Sequence, residues 1–187
     1  MRNGIASFAA RAALIRCWRC RLARWYPAEK DDAMKIGGLP YRTIWLEADG
    51  ARVAIIDQTK LPHRFEIAHL ATVDEAARAI LTMQVRGAPL IGVTAAYGVA
   101  LAMRADASDA ALADAVLFLG RQRSTAVNLR WALEEMRRHL AGIAPSGRAE
   151  AAFAHAARLA DDDAAMCKAI GENGLRLIAD IAKRKGP

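Results

Sequence analysis

At Thr72 the apolar period of this chain changes from that of strands to that of helices, and no strand-like run follows. Before that point, Thr43–Leu46 and Arg52–Asp57 are short β-rich runs on either side of Ala48-Asp49-Gly50. An Asp-Gly pair between two apolar runs predicts a hairpin. A third extended run, Arg64–Leu70, follows Pro62, so the β element at 41–70 is expected to form a small antiparallel sheet. Thr72-Val-Asp-Glu75 then has the form of a capping box, in which the hydroxyl accepts from one early helical N–H and the Glu reaches back to another. Ala76, Ile80 and Met83 recur at helical spacing beyond it. The pattern predicts helices near 73–84, 89–104, 108–120, 125–141, 147–160 and 162–184. Breaks are expected at Gly87-Ala88-Pro89, Gly120, Gly142–Gly147 and Gly186-Pro187. Without βαβ alternation there is no Rossmann half. The expected class is α+β: a small antiparallel β element followed by a helical bundle over 72–184.

Length and composition narrow the function classes. A chain of 187 residues, 54% apolar and 25% charged, makes one or two globular domains. No run of 18 apolar residues lacks a charge, which argues against a membrane span. Three cysteines cannot make a disulfide framework, so a reducing, cytoplasmic setting is expected. The net charge of +7 suggests nucleic acid until it is located. Residues 1–33 hold six arginines and Lys30 against Glu29, Asp31 and Asp32, a balance of +4, and the other 154 residues carry only +3. A body so nearly balanced gives no reason to expect DNA or RNA. Residues 1–28 contain no acid. They fit a transit peptide, a membrane-surface helix, or a stretch upstream of a true start at Met34, and the last reading is preferred because a coherent pattern begins there. The chain therefore divides into a basic extension, 1–33, and a body, 34–185. Cys17 and Cys20 are half a zinc site at best, with no second pair to complete it.

Two arginines stand out in the body. In Val85-Arg86-Gly87-Ala88-Pro89, Gly87 permits a tight backbone and Pro89 suits a first helical turn. The helix that follows places its free N–H groups beside Arg86, and a helix start with a guanidinium is an anion site in outline. In Arg123-Ser124-Thr125, Ser124 or Thr125 is expected to cap a second helix directly after Arg123. The two arginines could converge on one phosphate. Gly92, Ala95 and Ala96 are small enough to bring the first of these helices close to a neighbour. Asn128, a poor helix former one turn in, is expected to make a local backbone bond or to face a ligand. Gly92 and Gly98 match neither a dinucleotide fingerprint nor a P-loop. His63, His69, His139 and His155 are expected at the surface or in caps, and Cys167 as a small buried hydrophobe.

The run Val85-Arg-Gly-Ala-Pro-Leu-Ile-Gly-Val-Thr-Ala-Ala-Tyr-Gly98 resembles the signature of the S-methyl-5-thioribose-1-phosphate isomerase family. Arg123-Ser-Thr-Ala-Val-Asn-Leu-Arg-Trp-Ala132 resembles its second motif, with Gln122 and Ser124 where the family usually has Ser and Pro. Leu39–Trp45, Ile56–Pro62 and Ala169–Leu175 are similar to further family segments, in order along 34–187. The wider superfamily includes ribose-1,5-bisphosphate isomerases and regulatory subunits of a translation-initiation nucleotide exchange factor. The resemblance implies an aldose–ketose isomerisation of methylthioribose 1-phosphate in methionine salvage, with no metal or organic cofactor. It implies substrate binding by Arg86, Gly87, Ala88 and Arg123, and a homodimer at full length. The family's catalytic Cys and Asp lie in a following Rossmann-like domain, and this chain stops at Lys185-Gly186-Pro187, where that domain begins. The resemblance therefore implies an N-terminal fragment with part of the sugar-phosphate site and negligible turnover of its own. The alternatives are a non-catalytic regulatory or interaction module of the same superfamily, or a ribose-bisphosphate isomerase relative.

Overall fold

The computed structural model describes residues 34–185; the readings made for 1–33, including Cys17 and Cys20, lie outside the described residues. Two strands, β1 (Met34–Ile36) and β2 (Leu39–Tyr41), form an antiparallel hairpin with Met34 opposite Tyr41. Its turn is Gly37-Gly38, both at positive φ. This hairpin precedes the β element expected from residue 41; Gly-Gly between two short runs is the hairpin signal that was passed over. The expected three-stranded sheet is present, in the order β3 (Ile44–Leu46), β4 (Val53–Ile56), β5 (Ile67–Leu70), all antiparallel. Ile44 faces Ile55, and Val53 faces both Leu46 and Leu70. In the β3–β4 turn the Asp49 carboxylate accepts from the N–H groups of Ala51 and Arg52 and from the Arg52 side chain. These bonds, the Ala51 one first, hold its pKa below the usual carboxylate value. β4 is buried along its whole length, which makes it the centre of the sheet.

Five helices follow. α1 (Val73–Leu81) opens on the expected capping box, with Glu75 N–H donating to the Thr72 hydroxyl and the Glu75 carboxylate accepting from Thr72 N–H. α2 (Ala88–Ala105) is the axle of the fold: every residue from Leu90 to Leu101 is buried. By length and composition α2 could cross a membrane, but 78% of it is buried inside the protein, so the core uses its apolar surface. α3 (Asp109–Gly120) starts at Ser108, and α4 (Val127–Leu140) starts at Ala126. Small residues let three helices close around α2. A Cβ on Gly98 would lie 3.0 Å from Leu119 of α3 and 3.1 Å from Ala76 of α1, while Gly92 faces α4.

α5 (Pro145–Lys185) is one helix of 41 residues rather than the two expected. The expected helices stopped at 160 and resumed at 162, but the Asp161–Asp163 run contains neither Gly nor Pro and the backbone continues through it. Its first half is fastened by Arg148, which is buried and donates to the carbonyls of Ile143 and Ala107 while pairing with Asp109 at 2.7 Å. Arg42 ties the sheet side to the same helix through Asp161, at 2.5 Å, and the Ala160 carbonyl. At the far end of α2, Arg104 donates to the carbonyls of Ala51 and Ala71 and so fixes that end to the β element.

Two side-chain expectations are corrected. Cys167 is exposed, because it lies on the half of α5 that extends past the core. His155 is buried rather than at the surface, because it faces α4 and stacks on His139 at 4.1 Å between ring centroids.

Candidate functional site

The start of α2 is built by a short, heavily tied loop. α1 ends at Leu81, earlier than the expected residue 84, and Thr82 closes it by donating to the Arg78 carbonyl. Met83 follows at φ 63°, a left-handed conformation unusual for a side chain of its size. Val85 is fully buried and its N–H reaches back to Ala79. The Gln84 carbonyl accepts from Gln58 N–H at 2.9 Å, which sets the Asp57–Lys60 turn beside this loop. That turn is self-locked: the buried Asp57 carboxylate accepts from both the N–H and the hydroxyl of Thr59. Gly87 then has φ 96° and ψ 132°. Nothing would crowd a Cβ there, so it is the backbone conformation alone that demands glycine. Ile91 N–H bonds to the Gly87 carbonyl and the helix begins, with Pro89 in its first turn and no side-chain cap.

The start of α4 differs from expectation. Ser124 and Thr125 are exposed in a turn and cap nothing; Ala126 occupies the capping position and has no side chain to offer. Ala126 N–H instead closes the turn onto the Arg123 carbonyl at 2.9 Å. Arg123 is half-buried beside this start, and Arg86 is exposed beside the other. Sequence reasoning credited α4 with a cap because Ser and Thr stood near its start; the structure moves the start to the first residue that lacks one.

The two uncapped starts are neighbours. A Cβ on Gly92 would meet the Asn128 carbonyl at 2.8 Å and Ala132 Cβ at 3.2 Å, so the first turn of α4 packs closely on α2 one turn in from its start. Neither the Arg86 nor the Arg123 guanidinium makes a hydrogen bond or ion pair with another described residue. Arg42, Arg52, Arg64, Arg137, Arg138 and Arg148 all pair with carboxylates. The chain explains the contrast, since residues 76–105 and 115–133 contain no Asp or Glu while Arg121 and Arg130 add to the charge. Two open helix starts and unpaired arginines make an electropositive end suited to an anion. Among the described residues no group of three or more His, Cys, Asp or Glu is placed to hold a metal. The neighbouring Asp57–Lys60 turn, within a segment noted only for its family resemblance, was not tied to this end by sequence reasoning.

The profile of the initiation factor 2 subunit family matches residues 84–183, from the Arg86 loop through almost all of α5. The chain belongs to that family. Within it, the resemblance to methylthioribose-1-phosphate isomerases is borne out by curated relatives of that name. The Methylorubrum populi protein is 57% identical over 153 residues, covering 82% of this chain, and the Methylocella silvestris protein is 58% identical over 154, also covering 82%. This chain spans 42% of the length of each. Among solved structures, the 5-methylthioribose 1-phosphate isomerase of Pyrococcus horikoshii OT3 is similar with a TM-score of 0.59 and 31% identity, covering 65% of this chain and 36% of that one. The translation initiation factor eIF-2B, subunit delta, of A. fulgidus is similar with a TM-score of 0.60 and 35% identity, covering 66% and 37%. These neighbours share the α+β layout of this member of the initiation factor 2 subunit family.

Proposed function

We propose that this chain forms the phosphate-holding part of an aldose–ketose isomerase that converts S-methyl-5-thioribose 1-phosphate to the corresponding ribulose 1-phosphate. The observation that carries the proposal is the contact between the uncapped starts of α2 and α4, each beside an arginine without a partner among the described residues. The names of the isomerase relatives support the substrate class. Arg86, Gly87, Ala88 and Arg123 hold the phosphate: the guanidinia supply charge, and the positive φ of Gly87 turns the chain so that the N–H groups of the first α2 turn face the anion. A fixed phosphate positions the sugar for ring opening and for the proton shift between its first two carbons. That shift needs an acid/base group. We assign it to the part of the longer relatives that this chain does not match, so the chain alone is expected to form no ketose. On this reading the ligand is a small sugar phosphate in the cytoplasm, with no role for nucleic acid, a membrane, a metal or an organic cofactor.

The test is the melting temperature of the chain with inorganic phosphate and with methylthioribose 1-phosphate. Both are expected to raise it, the sugar phosphate more, and Arg86→Ala and Arg123→Ala each to remove most of the rise. No rise in the unaltered chain would end the proposal. The similarity to the initiation-factor subunit from A. fulgidus favours a second reading, a non-catalytic interaction module. That reading predicts no response to phosphate and a protein partner whose binding is indifferent to Arg123→Ala.

A further inference from the structure

The described residues include five side-chain amides: Gln58, Gln84, Gln122, Asn128 and Asn173. Two of them are used inside their own helices. Gln122 donates to the Phe118 carbonyl and Asn173 to the Ala169 carbonyl, both four residues back. The amides of Gln58, Gln84 and Asn128 make no hydrogen bond with another described residue, and all three side chains are half-buried. Among the described residues the only buried side-chain N or O without a partner is His155 Nε2, so these three amides are open to solvent. They are not scattered. Gln58 and Gln84 are joined backbone to backbone at 2.9 Å, and Gln84 stands two residues before Arg86. Asn128 lies in the first turn of α4, five residues after Arg123, with its carbonyl against α2 at Gly92. It does not make the local side-chain-to-backbone bond that its position allowed.

An amide brings what the arginines of this end lack. A guanidinium only donates, whereas an amide has an oxygen that accepts and an NH2 that donates. A sugar hydroxyl uses both, since it donates one hydrogen and accepts into two lone pairs. Acidic acceptors are missing here: residues 76–105 and 115–133 hold no Asp or Glu, and the buried Asp57 carboxylate is taken up by Thr59. A carboxylate would also compete with a phosphate for the arginines, which a neutral amide does not. A half-buried amide without a protein partner adds little to stability, so a structural role does not account for its place. We propose that Gln58, Gln84 and Asn128 read the hydroxyls of the sugar whose phosphate Arg86 and Arg123 hold, and so set the preference of this end for a sugar phosphate over a bare anion. The proposal rests on the phosphate reading of the same site and adds the residues that recognise the rest of the ligand.

Calorimetric titration of the whole chain with methylthioribose 1-phosphate and with inorganic phosphate separates the two roles. The sugar phosphate is expected to bind more tightly. Gln58→Leu, Gln84→Leu and Asn128→Ala should each raise its dissociation constant by roughly 2- to 10-fold, the range for a neutral hydrogen bond, and leave the constant for inorganic phosphate unchanged. Arg86→Ala and Arg123→Ala should weaken both. The fold should hold in the amide variants, because the contacts at these positions use the Gln58 N–H and the Gln84 and Asn128 carbonyls, which every substitution keeps. An unchanged melting temperature without ligand checks this. Equal binding of the two probes to the unaltered chain, as expected if the sugar is read by the part of the longer relatives that this chain does not match, overturns the proposal and leaves the phosphate reading standing. Amide variants that bind the sugar phosphate as tightly as the unaltered chain overturn it too, and so do variants that lose affinity for both probes alike. Binding of neither probe ends both readings.

Discussion

α1 and α3 begin with a hydroxyl that accepts from the helix's own third N–H, Thr72 for Glu75 and Ser108 for Ala111, whereas α2 and α4 begin with Gly87 and Ala126, which supply no such group. The free N–H groups of a helix start need a partner, and a side chain is the usual one. Where it is missing, the start is left for something else to satisfy. The two closed starts stand in their own capping turns. The two open ones lie against each other through Gly92 and Asn128, each beside an arginine that pairs with no carboxylate among the described residues. On the proposed reading, the contrast separates helix starts that serve stability from helix starts that serve binding, and it rests on the capping geometry alone.

The substitution expected to do most damage to this contrast is Gly92→Val. Its Cβ would fall 2.8 Å from a backbone carbonyl, which cannot swing aside as a side chain can, so α2 and α4 must separate. Overpacking of this kind should cost about 2–3 kcal/mol in chemical denaturation, with the phosphate-dependent rise in melting temperature lost as well. Gly98→Ala is the control. The atoms it meets belong to the Leu119 and Ala76 side chains, remote from Arg86, so stability should fall less and the phosphate response should survive. Next in size come Arg86→Ala and Arg123→Ala. Each should weaken anion binding by about 1.5–3 kcal/mol, the range for charged hydrogen bonds, as read by calorimetry on the folded variants.

How far the sequence reveals this arrangement depends on which residues carry it. The Asp49-Gly50 turn, the Thr72–Glu75 box and the Gly87-Ala88-Pro89 start are local: the chemistry that sets the backbone lies within a few residues, and each is readable in one dimension. The class, a small antiparallel sheet and then helices, follows from the same local signals. The open start of α4 is not local. Ser124 and Thr125 carry good capping chemistry, but the Arg123–Ala126 turn occupies those positions and the helix starts beyond them. The continuity of α5 was missed between the helices expected at 147–160 and 162–184, because no local signal showed that the Asp161 position stays helical; there Arg42, distant in sequence, bonds to Asp161. His155 was misjudged because its burial depends on α4 lying against α5, a fact of packing and not of spacing.

Smaller effects sharpen the comparison from both sides. Thr72→Ala and Ser108→Ala each remove a cap and should lower stability by about 1 kcal/mol in denaturant titration, with the phosphate response unchanged. Ala126→Ser runs the opposite way. Ala126 already has the extended backbone of a capping residue, at φ −78° and ψ 105°, so a hydroxyl there can turn inward and close α4. The variant should gain up to about 1 kcal/mol of stability and lose part of the phosphate response, because side chain and anion compete for the same N–H groups. If both kinds of variant moved stability and anion binding together, the distinction between closed and open starts would fail.

The smallest effect concerns the other end of α4, where His139 in the last turn stacks on the buried His155 of α5. His155 Nε2 is buried without a hydrogen bond, 3.6 Å from the Glu135 carboxylate, and Nδ1 lies against the Arg158 guanidinium. Burial first, then the charges of His139 and Arg158, push the imidazole pKa below its ordinary value, although Glu135 and Asp162 pull the other way. The unfolded chain, titrating near pH ~6.5, then takes up the proton more readily than the folded one. Stability is fully present above that pH and falls as the pH drops from there through the lower folded value. Melting temperatures at about pH 7.5 and about pH 5.5 should show the loss, and His155→Gln should flatten it. With sulfate as the probe, whose charge does not change in this interval, the anion-dependent increment should be the same at both pH values. Acid would then loosen α4 where it meets α5 and leave its open start working, as expected if the binding end and the stabilising end of one helix are built from separate contacts.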